Sequence, residues 1–264
     1  DYTDEILDKT LKLVNNYNNH NNNNKKGGDH TSSNNHTSSN NTSFNNYNKS
    51  YDDTAKQMQD KINGKRDLWN RLARAYLTQS LTSTPSGMLD ATPFDMAISR
   101  NNWLIDITHS EISTIIDCTA ATGFDAVSFL ISGFKLEAYE IDAERYKIMV
   151  ENINKVKKAK IIKTENKSFI NTEFATKPNK NTCLYIDPPW GGIDYKSNEI
   201  DDLYLYNDDK KIALREILDN LKYNICLKLP VNYAFNKLST HSKFELKTRK
   251  GDIKGVCVYI NKNE

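Results

Sequence analysis

Between residues 113 and 260 the chain alternates short apolar runs with stretches of helical period, and this alternation restricts the fold more than any other feature. Residues 113–117, 136–141, 160–163, 182–186 and 224–229 read as strands. Residues 120–131, 143–156 and 209–221 read as helices between them. Strands joined by helical crossovers predict an α/β fold with a doubly wound, mainly parallel sheet. Residues 244–248 and 255–260 flank the short turn Lys250-Gly251-Asp252, which predicts an antiparallel edge and a seven-stranded sheet in all. In such sheets ligands lie beyond the carboxyl ends of the strands. Polar residues occur there at Asp117, Glu140, Ser168 and Asp187.

The chain ahead of this region differs in kind. Residues 15–50 are dominated by Asn, Ser, Thr and His. Such a segment buries too little apolar surface to offset its ordering entropy, which predicts disorder. Residues 3–14 have the spacing of one short amphipathic helix, and residues 53–81 turn helical, with Ile62, Trp69, Leu72, Ala73, Tyr76 and Leu77 on one face. Lys65, Arg66, Arg71 and Arg74 decorate that helix. Thr84-Pro85-Ser86-Gly87 reads as a turn, and Thr92-Pro93 as a helix start. The expected organisation is an Asn-rich tail over 1–52, a helical cap over 53–83 and the main domain over 84–264.

Composition excludes several classes of function. Lys and Arg exceed Asp and Glu by only two, so the chain as a whole has no electrostatic pull on nucleic acid, and local clusters must supply any. No run approaches the ~18 apolar residues of a membrane span, so no membrane partner is expected. The four cysteines match no zinc spacing. They read as reduced thiols within strands, which fits an intracellular chain, nuclear or cytoplasmic, with no metal site.

Three strand ends carry chemistry. Asp117-Cys-Thr119-Ala-Ala-Thr-Gly123-Phe-Asp125 is a small-residue turn into a helix, where a ligand can approach backbone closely. Glu140-Ile-Asp142 ends the second strand; an acid there can accept hydrogen bonds from both ribose hydroxyls of a nucleoside, while Asp142 can cap the next helix. The most specific signal is Asp187-Pro188-Pro189-Trp190-Gly191-Gly192, followed by Asp194-Tyr195. Two prolines have fixed φ and no N–H, so the loop is rigid and extended. A carboxylate and the Pro188 carbonyl can take both hydrogens of an exocyclic NH₂ and aim its lone pair at an electrophilic methyl. The gain is orientation rather than base strength. Trp190 supplies a stacking face.

These residues resemble the class I S-adenosylmethionine-dependent methyltransferases that act on exocyclic amines. More narrowly, they resemble the trimethylguanosine synthase (RNA cap guanine-N2 methyltransferase) family. Its Pro-Pro-Trp-Gly-Gly-x-Asp-Tyr run is matched from Pro188 to Tyr195. An aromatic-basic segment is similar to residues 68–77, a Leu-Asp then Thr-Pro pattern to Leu89-Asp90 and Thr92-Pro93, and a Leu-Pro-x-Asn segment to Leu229–Asn232. The resemblance implies S-adenosyl-L-methionine as cofactor and a 7-methylguanosine-capped RNA as partner, converted to di- or trimethylguanosine. It implies cofactor contacts from Asp117, Thr119, Gly123, Glu140, Ser168 and Asp187. Catalytic roles fall to Asp187, Pro188 and Trp190, and substrate contacts to Trp190, Thr92, Pro93, Arg71, Arg74 and Asn232. Trp190 fits a cationic 7-methylguanine through cation–π attraction, ~0.5–2 kcal/mol.

The chain departs from the family pattern at three places. Ala121 and Phe124 stand where the family is richer in glycine, Ser168 where it has Asp, and Asp187 where it has Ser. Two alternatives stay open on these grounds: an N6-adenine methyltransferase on RNA or DNA, and a catalytically inactive cap- or RNA-binding relative.

Overall fold

A computed structural model describes residues 42–191, 199–207, 209–239, 241–248 and 250–262 of the chain. The expected helix at 3–14, the Asn-rich stretch through Asn41, and Asp194 and Tyr195 lie outside the described residues. The chain divides into two compact units at Leu72/Ala73.

Helix α1 spans Thr42–Leu72 and buries Ile62, Trp69 and Leu72, as the 3.6-residue period predicts. It starts inside the stretch expected to be tail, because extending a helix costs far less than nucleating one. It stops at Leu72 rather than continuing to residue 81. Beyond it the backbone pairs with another segment. Lys157 N donates to Tyr76 O, Thr78 N donates to Lys155 O, and Leu77 forms an antiparallel bridge with Val156. Those pairings take groups a longer helix would need.

The second unit holds the sheet. Short helix α2 (Pro85–Asp90) replaces the turn expected at residues 84–87; the Thr84 hydroxyl caps it by accepting from Gly87 N. Helix α3 (Phe94–Ile107) starts after Pro93, as the Thr-Pro pair predicts. Then follow β1 (Thr114–Asp117), α4 (Phe124–Ile131), β2 (Lys135–Tyr139), α5 (Ala143–Asn154), β3 (Ile161–Glu165) and β4 (Thr182–Ile186). The chain continues with β5 (Tyr204–Asn207), β6 (Lys210–Ala213), α6 (Leu214–Asn220), β7 (Asn224–Leu229), β8 (Ser242–Lys247) and β9 (Ile253–Ile260). Among them, β3-β2-β1-β4-β7-β9-β8 form one seven-stranded sheet. The five strands from β3 to β7 run parallel, and β9 and β8 close the edge antiparallel, as expected.

Both faces of the sheet are buried. Ile116, Leu184, Ile186, Ile225 and Leu227 pack into one cluster, and Ile115, Cys183, Tyr185 and Cys226 into another. Adjacent residues of one strand thus enter opposite cores. That is why β4 and β7 read as continuous apolar runs rather than alternating ones.

The region after β4 departs from expectation. The helix expected at residues 209–221 is shortened to α6, and β6 pairs with β5 as a separate antiparallel hairpin. In Tyr204-Leu205-Tyr206 the leucine is buried and the tyrosines are exposed, a period of two. The Leu214 N–H then donates to Leu203 O, seating the start of α6 on the hairpin.

Candidate active site

Strands β1, β2 and β4 deliver three carboxylates to one end of the sheet. Asp117 ends β1 and is 1% exposed. Its Oδ1 accepts from Thr119 N at 3.3 Å, while Oδ2 is buried with no hydrogen-bond partner among the described residues. Burial, reinforced by the nearby Asp125 carboxylate, raises its pKa well above the usual carboxylate range. A buried acid in that condition is completed by a cation brought against it.

The loop after β1 is held by Glu140, whose two oxygens accept from Ala121 N at 2.7 Å and from Asp142 N at 2.8 Å. Ala121 sits at φ 47°, in the left-handed region. Glycine would adopt this conformation at no steric cost, and the Glu140 bond holds the strained alanine peptide in place. Gly123 is at φ 85°, and a Cβ on it would lie 3.0–3.1 Å from Met149 atoms. Its bareness serves packing against α5. The buried Asn152 amide donates to Thr82 O and Thr122 O, securing the same loop from behind.

Asp187, one residue beyond β4, faces Lys228 on β7. The parallel register pairs Ile186 with Leu227, which sets the next two residues side by side. Lys228 Nζ donates to Asp187 Oδ2 at 2.6 Å; the lysine side chain is 8% exposed and the aspartate 21%. Burial raises the Asp187 pKa above its usual value, against the pull of the ammonium. Burial works to lower the Lys228 pKa, but Asp187 and Asp125 outweigh it and hold the lysine above its usual value, hence charged. Asp187 Oδ1 and the Pro188 carbonyl accept no hydrogen bond among the described residues. Pro188 is buried and Pro189 exposed.

Trp190 follows, half-buried, with the Lys228 ammonium 5.4 Å from its ring centroid. The indole rests on Gly255 of β9: a Cβ there would lie 2.9 Å from Trp190 Cη2 and 3.2 Å from Leu229 O. A cavity of about 370 Å³ opens beside the loop, lined by Pro189, Trp190, Glu199, Tyr204, Tyr206 and Lys211 among others. It falls within the size range of small-ligand sites.

Behind the strand ends lies a buried ionic core. Arg100 of α3 is fully buried. It donates to Asp125 Oδ1 at 2.6 Å, to Tyr185 Oη at 2.8 Å and to Ser128 Oγ at 2.9 Å. Its guanidinium stacks 4.3 Å and 4.5 Å from the Phe129 and Tyr185 ring centroids. Burial raises the Asp125 pKa, but Arg100 outweighs it and holds the acid below its usual value.

The expected residues divide into two groups. Asp117, Glu140, Asp187, Pro188 and Trp190 lie at strand ends or in the loop after β4, as expected. Thr119 does not present its oxygen outward: Oγ1 accepts from Asp187 N at 2.8 Å and ties the two loops together. The Thr92 hydroxyl is buried and donates to Asp125 Oδ2 at 2.9 Å. Ser168 Oγ accepts from Ile170 N and donates to Tyr206 O, each at 3.3 Å, so it anchors the β5–β6 hairpin. Asp142 caps α5 by accepting from Arg145 N. Pro93 precedes α3, and the Asn232 carbonyl accepts from Ile200 N. Arg71 and Arg74 do not share a helical face, because α1 ends between them. Lys228 and Arg100 belong to no motif, and Asp125 closes the turn motif that starts at Asp117. Their signal in the sequence is a cation inside the apolar run Asn224–Leu229 and inside α3, and an acid in the first turn of α4.

Residues 112–263 match a family model described as RNA cap guanine-N2 methyltransferase. An uncharacterized protein, L320, of Acanthamoeba polyphaga mimivirus is 23% identical over 177 residues, covering 64% of this chain and 69% of that one. The fold resembles the human METTL16 catalytic domain, solved with a MAT2A 3′UTR hairpin: TM-score 0.55, 11% identity, 76% of this chain and 80% of that one. It resembles the N-terminal domain of human METTL16 at TM-score 0.54 and 10% identity, over 77% and 83% of the two chains. With its sheet order, its Asp-Pro-Pro-Trp loop and a family match over most of its length, the chain belongs to the RNA cap guanine-N2 methyltransferase family and is an RNA methyltransferase of the S-adenosylmethionine-dependent class.

Proposed function

We propose that the protein transfers methyl to guanine N2 of a 7-methylguanosine-capped RNA. The observation that carries this reading is the pair of open acceptors, Asp187 Oδ1 and the Pro188 carbonyl, beside Trp190 and its cavity. An exocyclic NH₂ laid on Trp190 gives one hydrogen to each acceptor. Its lone pair then projects from the plane the two bonds define. The amine attacks neutral and sheds its proton afterwards, so orientation carries the catalysis. The acid lining of the site suits a cationic 7-methylguanine, which also gains cation–π attraction on the indole.

S-adenosylmethionine, when bound, supplies an electrophilic methyl on a sulfonium. Asp117 would receive the ammonium of its methionine end, satisfying the bare Oδ2. Glu140, anchored by two backbone N–H groups, would take the ribose hydroxyls, and Gly123 would let the turn pack closely on α5 behind them. We assign Pro93 and Asn232 as contacts at the rim of the substrate site.

The test is incubation with labelled cofactor and a 7-methylguanosine cap analogue, then product identification by mass spectrometry. Methyl on guanine N2 is the expected result. Methylation of uncapped, adenine-containing RNA in preference to the cap analogue overturns the reading.

A further inference from the structure

The Asp187–Lys228 pair is more than an acceptor. Its position bears on how many methyls one nitrogen receives. A free exocyclic amine carries two hydrogens, and the site offers two acceptors. After one transfer the nitrogen carries one hydrogen and one methyl, so one acceptor must face carbon. What happens next depends on whether an acceptor can give way.

Neither can. Pro188 is held by its ring and is buried. Asp187 is held by Lys228, whose Nζ binds Oδ2 at 2.6 Å from a side chain only 8% exposed. One further bond holds its backbone, Thr119 Oγ1 accepting from Asp187 N at 2.8 Å, and the lysine ammonium itself lies 5.4 Å from the Trp190 ring centroid. Rotating Oδ1 away from the amine would drag Oδ2 from its ammonium inside the protein, leaving a buried charge unpaired. A serine in that place could swing its hydroxyl aside without that penalty.

We propose that the Asp187–Lys228 ion pair determines product specificity by favouring an unmethylated amine over a monomethylated one, so that dimethylguanosine accumulates and trimethylguanosine forms slowly. The inference rests on the function proposed above. In each transfer the nitrogen lone pair forms the N–C bond as the methyl–sulfur bond breaks, its electrons staying with sulfur. The proton shed by nitrogen passes to Asp187 Oδ1 and on to water. Lys228 touches neither substrate nor cofactor in this scheme; it is a positioning residue.

The experiment compares the wild-type chain with an Asp187→Ser/Lys228→Met variant, which removes both charges together and leaves neither unpaired. Two ratios are read: the rate of the second methyl transfer against the first on 7-methylguanosine triphosphate, and the affinity for N2,7-dimethylguanosine triphosphate against 7-methylguanosine triphosphate by calorimetry without cofactor. A purely structural role for the pair changes the active fraction and leaves both ratios alone. Wild type is expected to disfavour the second transfer and the methylated ligand by about 10-fold or more, the loss of one charge-assisted hydrogen bond. In the double variant both ratios should fall to within about 3-fold, since only a neutral contact is then lost. Where the variant turns over too slowly for rates, the affinity ratio alone decides. Comparable rates for both transfers in wild type, or an affinity ratio unchanged in the variant, overturn the inference and leave the proposed function standing. A wild-type protein that places no methyl on guanine N2 overturns the proposed function, and the inference with it.

Discussion

The two ends of the site are built on opposite principles. At the β1 end, Asp117 is buried with one oxygen bare, and Ala121 is held at a positive φ. At the β4 end, Asp187 has its ammonium, its rigid proline neighbour and an indole seated on a glycine. The first end is incomplete without a cation; the second is complete without a substrate and keeps only its acceptors open. A buried unpaired carboxylate costs stability, so the β1 end stores binding energy for a ligand. The β4 end stores geometry. The difference separates affinity from orientation, and each can be broken alone.

The largest effect is expected from Asp117→Asn. Cofactor affinity should drop by about 100-fold or more, because a buried charge loses its partner. The sign for stability is opposite. Asp117's folded pKa lies above its unfolded value, so ionisation favours the unfolded chain as pH rises past the unfolded pKa. Removing that charge should raise the melting temperature of the ligand-free protein at neutral pH by about 2–4 °C. A variant that binds cofactor normally, or melts lower, would show that the bare oxygen is not a cation site.

Trp190→Ala comes next. Affinity for 7-methylguanosine triphosphate should fall by about 30-fold, the order of one base–aromatic stack, while cofactor affinity moves less than about 3-fold. Equal losses in the two titrations would make Trp190 structural and blur the contrast between the ends.

A smaller effect follows from protonation. Cofactor binding to Asp117 requires the carboxylate, so affinity should climb by up to about ten-fold per pH unit below the folded pKa and level off above it. Calorimetry in buffers of different ionisation enthalpy should detect the released proton. A flat profile at the β1 end counts against the scheme. The least effect is expected from Ala121→Gly, which relieves a left-handed alanine and should raise the melting temperature by about 1–3 °C. A lower melting temperature would mean that the alanine is not strained.

How far these ends can be read from sequence also differs. Strands β4 and β7 coincide with residues 182–186 and 224–229, because apolar runs buried on both faces have sharp polar borders. The Asp187 loop is legible because two prolines leave backbone little freedom. The β5–β6 hairpin is not legible as strand: its period-two pattern is short, and Asp209 ahead of the Leu214–Leu221 apolar pattern suits a helix start equally well. Thr92, Thr119 and Ser168 illustrate a further limit. A hydroxyl beside a site can face inward or serve the scaffold, and only the fold assigns it. Lys228 was hidden because its meaning depends on a neighbour 41 residues away across a register that spacing does not reveal.

The hydroxyl of Thr119 couples the two loops. One contact of 2.8 Å joins the turn that would cradle the donor to the peptide that would grip the acceptor. Donor and acceptor therefore need not be strangers to one another. Thermodynamic reciprocity requires that any tightening the first ligand causes at the second pocket be returned in equal measure. Titrating each in the presence of the other would read that dialogue directly, and replacing the threonine with valine would silence it.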